Sequence, residues 1–394
     1  MKKYLQDSTM ERSHLFFVLT IILFWFSNYI YVPTFTLYLE HVQFSTLTIG
    51  ILLASYGISQ VLLRFPLGVW ASRYPKFQIM FFRSSFIFAF FSSFLLIVSN
   101  SFTSVFLARF MIGISASMWV MVTVLYATFF STKHLAKAMG FVQFLTITTQ
   151  LVCMSMTGYM VHYFGWKIPF ILALMSTIAG LYCMMQIQFP PVTKTQKGSL
   201  KALIERILHH RDTWRSGVIS LLGHALLFIT IFGYSIPYAT TLGVGEQAMI
   251  WVVLSFFLPH SLGAFVLMRF DLSLKQRSRI LIGCFVSIAF AFILLASTTS
   301  LWIFYVAHIV IGGALGPVFP LTLAGAIETV EPDIKMGAMG LFQSFYAFGI
   351  VLGPLLASVF LRGEQYESVF VFCFVLALVA LLILIMRSFR RERI

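Results

Sequence analysis

Pro190 to Arg215 reads PPVTKTQKGSLKALIERILHHRDTWR, and it divides two long apolar stretches of similar length. Its charge is basic: Lys194, Lys197, Lys201, Arg206, Arg211 and Arg215 stand against Glu205 and Asp212. Pro190 and Pro191 end the helix before them, because neither has a backbone N–H and each restricts its predecessor. Leu200, Leu203, Ile204, Ile207 and Leu208 then recur at helical spacing with charges between them. Such a helix suits a membrane surface, apolar face down and basic face towards anionic headgroups. A solvated linker helix is the alternative.

Outward from this break, composition sets the class. The 394 residues are 59% hydrophobic and only 10% charged, where a soluble chain carries about 25% charged residues. Runs of roughly 20 apolar residues cross a bilayer as helices. Six precede the break: His14–Leu39, Thr46–Trp70, Phe77–Ser99, Phe102–Phe130, Ala136–Phe164 and Trp166–Phe189. Six follow it: Ser216–Leu242, Gln247–Phe270, Ser278–Ser297, Leu301–Ile327, Gly337–Leu361 and Ser368–Met386. The expected fold is an all-α membrane protein of twelve transmembrane helices in two pseudo-symmetric six-helix halves. The halves are residues 1–189 and 216–394, joined by a linker at 190–215.

The net charge of +14 sits in loops beside apolar spans, where it sets orientation rather than binding nucleic acid. One set of loops holds Lys2, Lys3, Arg12, Arg73, Lys76, Lys133, Lys137, the central break, Lys275, Arg277, Arg279, Lys335 and the tail Arg387, Arg390, Arg391 and Arg393. The alternate set holds Lys167 and Arg362. The rich side is expected to be cytoplasmic, with both termini there. Met1 to Ser13 shows no cleavable signal. Cys153, Cys183, Cys284 and Cys373 fall inside apolar runs with no C-x-x-C pair, so free thiols are expected, with neither metal site nor cofactor.

The halves read as copies. Ala138-Met139-Gly140-Phe141-Val142-Gln143 opens the fifth span, and Ala338-Met339-Gly340-Leu341-Phe342-Gln343 opens the eleventh. Arg109, Gly113 and Ser117 on the fourth span repeat as His308, Gly312 and Gly316 on the tenth. The first and seventh spans each carry a proline in their outer part, Pro33 and Pro237. Six helices per copy make a parallel repeat, as alternating-access transporters use.

The chain resembles the major facilitator superfamily over nearly its whole length. The motif is Gly68-Val69-Trp70-Ala71-Ser72-Arg73-Tyr74-Pro75-Lys76, between the second and third spans. Gly68, Arg73 and Lys76 match the family pattern; Ser72 stands where the acid belongs, and Pro75 where a second glycine is usual. The resemblance implies a gate, with Gly68 letting helices two and eleven approach and charges locking the cytoplasmic side. Without the acid, the lock is expected to be weaker or to use a partner elsewhere. Arg109-Phe110-Met111-Ile112-Gly113 resembles the proton-transfer arginine of proton-coupled drug exporters. Gly349-Ile350-Val351-Leu352-Gly353-Pro354 resembles an antiporter pattern, but on the eleventh span instead of the fifth. Close helix packing explains the glycines equally well.

Ionisable groups deep in a membrane are costly and mark function. Here they are Arg109, His224, His260 and His308, with no Asp or Glu deep in any span. Glu40 and Glu328 sit at span ends, and Arg64, Arg83 and Arg269 lie towards cytoplasmic ends, where arginine can snorkel. Asn28, Gln143, Gln150 and Gln343 are the uncharged polar candidates. The family lines its cavity with helices one, four, seven and ten, which implies Trp25, Trp119, Tyr126 and Tyr234 as lining residues. The expected substrate set is Trp25, Asn28, Arg109, Trp119, Tyr126, Gln143, Tyr234, His308 and Gln343. Proton coupling falls to Arg109, His224 and His308, and the gate to Gly68, Ser72, Arg73 and Lys76.

The expected function is proton-coupled export of a hydrophobic or amphipathic small molecule from the cell membrane by a monomeric antiporter. Alternatives are uptake or facilitated diffusion of a polar solute, lipid translocation, and a membrane-embedded sensor or enzyme. An enzyme is disfavoured because the chain has no H-E-x-x-H, no G-x-S-x-G and no deep carboxylate pair.

Overall fold

A computed structural model describes residues 11–189, 199–245, 248–267, 269–270, 272–297, 299–361 and 365–391. Pro190, Pro191, Lys194 and Lys197 of the break, and Lys2, Lys3, Arg362 and Arg393 of the charge pattern, lie outside the described residues. Among the described residues twelve helices are long and apolar enough to cross a membrane. They are α1 (Glu11–His41), α2 (Thr46–Arg73), α3 (Gln78–Val98), α4 (Phe102–Ala127), α5 (Leu135–Phe164) and α6 (Ile168–Met185). After the linker helix (Leu200–Leu208) come α7 (Arg211–Thr241), α8 (Met249–Leu267), α9 (Leu274–Ser297), α10 (Leu301–Ile327), α11 (Lys335–Phe360) and α12 (Glu367–Arg391). Their exposed side chains are apolar, as at Leu62, Phe290 and Leu382, which lipid tolerates and water does not.

Local chemistry sets several ends. Ser45, Ser101 and Ser199 cap α2, α4 and the linker helix by accepting from the amides of Thr48, Ser104 and Ala202. The fourth span was expected to run to Phe130. It stops at Ala127, where Phe129 and Phe130 donate to carbonyls three residues back and wind the chain into turns.

The repeat is visible in the backbone. After α1, Gln43 N donates to Glu40 O (2.9 Å) and Phe44 N to Leu39 O (3.1 Å). After α7, Gly243 N donates to Thr240 O (3.0 Å) and Val244 N to Ala239 O (3.0 Å). Gln43 and Gly243 both adopt left-handed φ, 66° and 85°, as this helix-ending turn requires. These turns are 200 residues apart. Ring pairs keep the register: Tyr38 meets Phe170 at 5.0 Å, and Tyr238 meets Phe370 at 5.0 Å.

That register corrects the proline match. Pro33 falls opposite Gly233 and Pro237 opposite Leu37, so the prolines are one turn out of step. What the helices share is an interruption: α1 breaks at Ile30–Tyr31, and α7 passes through a π turn at Thr230–Tyr234.

The described chain forms two compact units. One comprises Met1–Leu135, Thr148–Thr213 and Ile327–Ser344; the other Ala136–Ile147, Trp214–Ala326 and Phe345–Ile394. The start of α11 thus belongs with α2 and the linker, and the start of α5 with α8, where Phe144 meets Phe265 at 5.3 Å.

The linker helix has the centre of its apolar stripe against protein. Leu203 and Ile207 are buried within the first unit, and Leu200 and Leu208 are exposed. The helix packs on α2, and a Cβ at Gly337 on α11 would strike the Ile207 side chain. Protein contact, rather than headgroups, takes the centre of the stripe. The four cysteines are free thiols.

Candidate functional site

Two helix seams collect most of the sequence-selected residues. In the first unit, α1 and α4 run antiparallel. His14 Nε2 lies 2.9 Å from the Tyr126 hydroxyl; further along, Phe24 stacks on Trp119 at 5.6 Å and Trp25 meets Trp119 edge-on at 4.8 Å. Nearer the opposite end, the Arg109 guanidinium sits over the rings of Phe35 (5.0 Å) and Tyr56 (4.8 Å), with Nη1 3.5 Å from the Tyr31 hydroxyl. Gly113 makes the α4–α2 approach possible, since a Cβ there would lie 2.6 Å from the Tyr56 carbonyl oxygen.

Three buried polar atoms on this seam have no hydrogen bond among the described residues: Trp25 Nε1, Asn28 Oδ1 and Arg109 Nε. Trp25 and Asn28 stand three residues apart, on one face of α1. An unmade bond on a buried polar atom costs about 1–3 kcal/mol, so these atoms are places where a ligand or water gains most. Asn28 Nδ2 is occupied by the Phe24 carbonyl (2.8 Å). Tyr126 is fully buried among His14, Phe17 and Phe130.

In the second unit, α7 and α10 form the corresponding seam. His224 faces Phe319 at 4.2 Å and stacks on Tyr346 of α11 at 4.4 Å. Its Nδ1 is 2.8 Å from the Ser220 carbonyl. His308 is fully buried; its Nδ1 lies 2.8 Å from Phe304 O and its Nε2 2.7 Å from Ser235 Oγ. A carbonyl only accepts, so Nδ1 carries the proton, and in the neutral ring Nε2 accepts from the Ser235 hydroxyl. His260 donates in the same way to Gly312 O (3.0 Å). Tyr234, in the π turn, is half-buried with its hydroxyl 3.5 Å from Pro354 O.

The expected gate pair, α2 and the start of α11, is in contact in the first unit. A Cβ at Gly68 would lie 2.5 Å from Met336 O and 2.9 Å from Gly340 Cα. Ser72, standing where an acid was expected, accepts at Oγ from the Gly337 amide at 2.8 Å, so a neutral oxygen satisfies a first-turn donor of α11. Arg73 lies over the Tyr74 ring and Lys76 over Phe77.

Arg64 was expected to snorkel; instead it is almost fully buried. Its Nη1 donates to Gln343 Oε1 (3.1 Å) and its Nη2 to Gln60, while Gln343 Nε2 donates to Thr123 Oγ1 (3.2 Å). This polar junction of α2, α4 and α11 escaped the sequence reading. The signal was Gln60 one turn before Arg64, since a buried arginine needs such acceptors. Gln143, the repeat counterpart of Gln343, is half-buried. Where the first repeat has Arg64 and Thr123, the second has Ala264 and Leu323. Gly349 and Gly353 pack against α7; a Cβ at Gly353 would lie 2.8 Å from Ala225 Cα. Among the described residues no group of His, Cys, Asp and Glu could hold a metal ion.

A family model described as Major Facilitator Superfamily matches residues 17–245 and 218–393. A search of curated protein sequences finds no match. The crystal structure of the human organic anion transporter MFSD10 (TETRAN) is similar with a TM-score of 0.78 at 14% identity, covering 96% of this chain and 100% of that one. A crystal structure of the E. coli fucose:proton symporter FucP is similar with a TM-score of 0.73 at 10% identity, covering 95% of this chain and 99% of that one. At such identities the likeness is one of fold.

Proposed function

The chain belongs to the major facilitator superfamily, and from that membership we propose that this secondary transporter exports a hydrophobic or amphipathic small molecule in exchange for protons. The observation that carries the substrate class is the α1–α4 seam. It joins broad aromatic faces to the unmet polar atoms of Trp25, Asn28 and Arg109, the mixture that holds an apolar body and orients one polar end. Proton coupling rests on His224, the one half-buried histidine of the α7–α10 seam, whose ring lies on Tyr346 of α11. Gln143, Tyr234 and Gln343 are further substrate candidates. The basic loops support a cytoplasmic position for both termini and the linker, and the reading takes the transporter as a monomer of the cell membrane. MFSD10, an organic anion transporter, and FucP, a proton symporter, lend the fold both chemistries. The two pseudo-symmetric halves, 1–189 and 216–394, supply the alternation.

The test uses purified protein in liposomes with an interior pH dye and a panel of apolar, anionic, cationic and sugar-like compounds. Proton movement opposite to that of an apolar or amphipathic compound is expected. Proton movement in the same direction, driven by polar solutes alone, would replace export with uptake.

A further inference from the structure

The gate sequence lacks its acid, yet a charge cluster stands beside the start of α11. Arg206 on the linker helix donates from Nη1 to Asp333 Oδ2 at 3.0 Å and from Nη2 to Glu331 Oε2. Both carboxylates lie in the α10–α11 loop, at most four residues before Lys335, where α11 begins. Their hydrogen bonds, Asp333 first and then Glu331, hold the guanidinium above its ordinary pKa. The same two segments meet again at Thr329, whose hydroxyl lies 3.3 Å from the His210 ring and 3.4 Å from the Asp212 carboxylate. Ile207, the residue after Arg206, is fully buried and occupies the space beside Gly337. Gly337 is also the residue whose amide Ser72 accepts.

We propose that Arg206 is a positioning residue of the transport cycle: by gripping Glu331 and Asp333 from the linker, it keeps the start of α11 seated on α2. The linker is then a working part of the gate and supplies the charge pairing absent at Ser72. For α11 to leave α2, the Ser72–Gly337 bond and the Arg206 pairs must break and Ile207 must be uncovered. Each exposed ion pair shifts an equilibrium by roughly 1.5- to 5-fold. Here one guanidinium holds two carboxylates, and its helix is anchored by buried Leu203 and Ile207, so less side-chain freedom is lost. Relevance to transport rests on the proposed function; the latch itself requires only that α11 moves.

The experiment reads that motion without a substrate. The full chain in lipid nanodiscs, both faces open to solvent, carries Ala338→Cys or Met336→Cys, both buried near the start of α11. Reaction with a hydrophilic maleimide is timed against the unsubstituted chain, in which Cys284 is half-buried and the other cysteines are buried. Arg206→Ala is expected to speed labelling about three- to tenfold. Glu331→Gln with Asp333→Asn should give the same increase and add nothing to Arg206→Ala. Molar salt should speed the parent more than Arg206→Ala, because screening weakens the pair only where it exists. Lys201→Ala, whose partner Glu205 is on the same helix, should change nothing. Arg206→Glu with Glu331→Arg and Asp333→Arg should restore slow labelling, which a misfolded variant cannot do. Parental labelling in Arg206→Ala, additive arginine and carboxylate effects, or an equal increase in Lys201→Ala would each overturn the latch. A transport failure with the labelling pattern intact would count against the proposed export and not against Arg206.

Discussion

At an offset of 200 residues, or 199 for Arg109 and His308, α7 and α10 repeat what α1 and α4 do. Phe24 and Trp119 face each other in the first seam as His224 and Phe319 do in the second. Phe35 lies under Arg109 where Ser235 bonds His308. The scaffold is duplicated and the chemistry is not. The first seam holds a guanidinium that does not deprotonate in proteins, while the second holds imidazole rings, which can carry a proton on either nitrogen. The duplicated register sets where side chains meet; on the proposed reading, substitution divided recognition from proton handling between the two copies.

That division is most exposed at His224. His224→Gln is expected to cut substrate-driven proton movement in liposomes by about tenfold or more, since a membrane-embedded titrating group has few substitutes. Counterflow exchange of the substrate should persist, because the recognising seam is untouched. Full coupling in His224→Gln would break the comparison; full coupling in both His224→Gln and His308→Gln would leave Glu40 or Glu328 as the carrier.

Arg109 is expected to show the next largest effect, and on recognition. Arg109→Gln removes a cation held between two ring faces, contacts worth about 2 kcal/mol when desolvated, and substrate affinity should fall about tenfold. Arg109→Lys keeps the charge but not the planar face that Tyr56 and Phe35 meet, so its affinity should be intermediate. Equal affinity in the parent and both variants, measured by substrate binding in detergent, would remove Arg109 from recognition.

A smaller, matched effect should come from the shared scaffold. A Cβ at Gly113 would lie 2.6 Å from Tyr56 O, and one at Gly312 3.0 Å from the Phe256 carbonyl carbon. Gly113→Ala and Gly312→Ala should therefore each cost about 1–3 kcal/mol by overpacking. Thermal unfolding in detergent checks this. A large loss in one and none in the other would show that the repeats do not share this helix crossing.

Much of this architecture was legible in the sequence because membrane spans are written in length and polarity. Leu301–Ile327 was bounded as the structure has it, and the others agree to within a few residues at most ends. The interruptions in α1 and α7 were not legible, because an apolar run reads the same through a turn or a π turn as through an α turn. Arg64 was misread for a related reason. Its partner Gln343 is 279 residues away, and one sequence shows only the neighbours along a helix. The linker stripe announced an amphipathic helix but not what would cover it, since lipid and an apolar helix end attract the same residues. Of the site, the sequence could supply residue types; which histidine is sealed and which is half-open depends on tertiary packing.

The smallest functional effect should come from His308, although the sequence gives it the same standing as His224. His308 is fully enclosed, with Phe304 ring-to-ring at 4.1 Å. Both ring nitrogens have partners, Phe304 O and Ser235 Oγ. Charging it would place an ion where no carboxylate among the described residues touches it, a cost of several kcal/mol. His308→Gln can keep an N–H for Phe304 O and an oxygen for Ser235, so coupling should stay within about twofold of the parent, with a stability loss of about 1 kcal/mol. Ser235→Ala sharpens the point. It leaves the buried Nε2 without its partner and should lower the unfolding temperature, at a cost of about 1–3 kcal/mol, while protons still follow the substrate. If His308→Gln instead lost coupling at unchanged stability, the sealed ring would be the carrier. The two histidines would then exchange roles, and with them the reading of which contact to α11 matters.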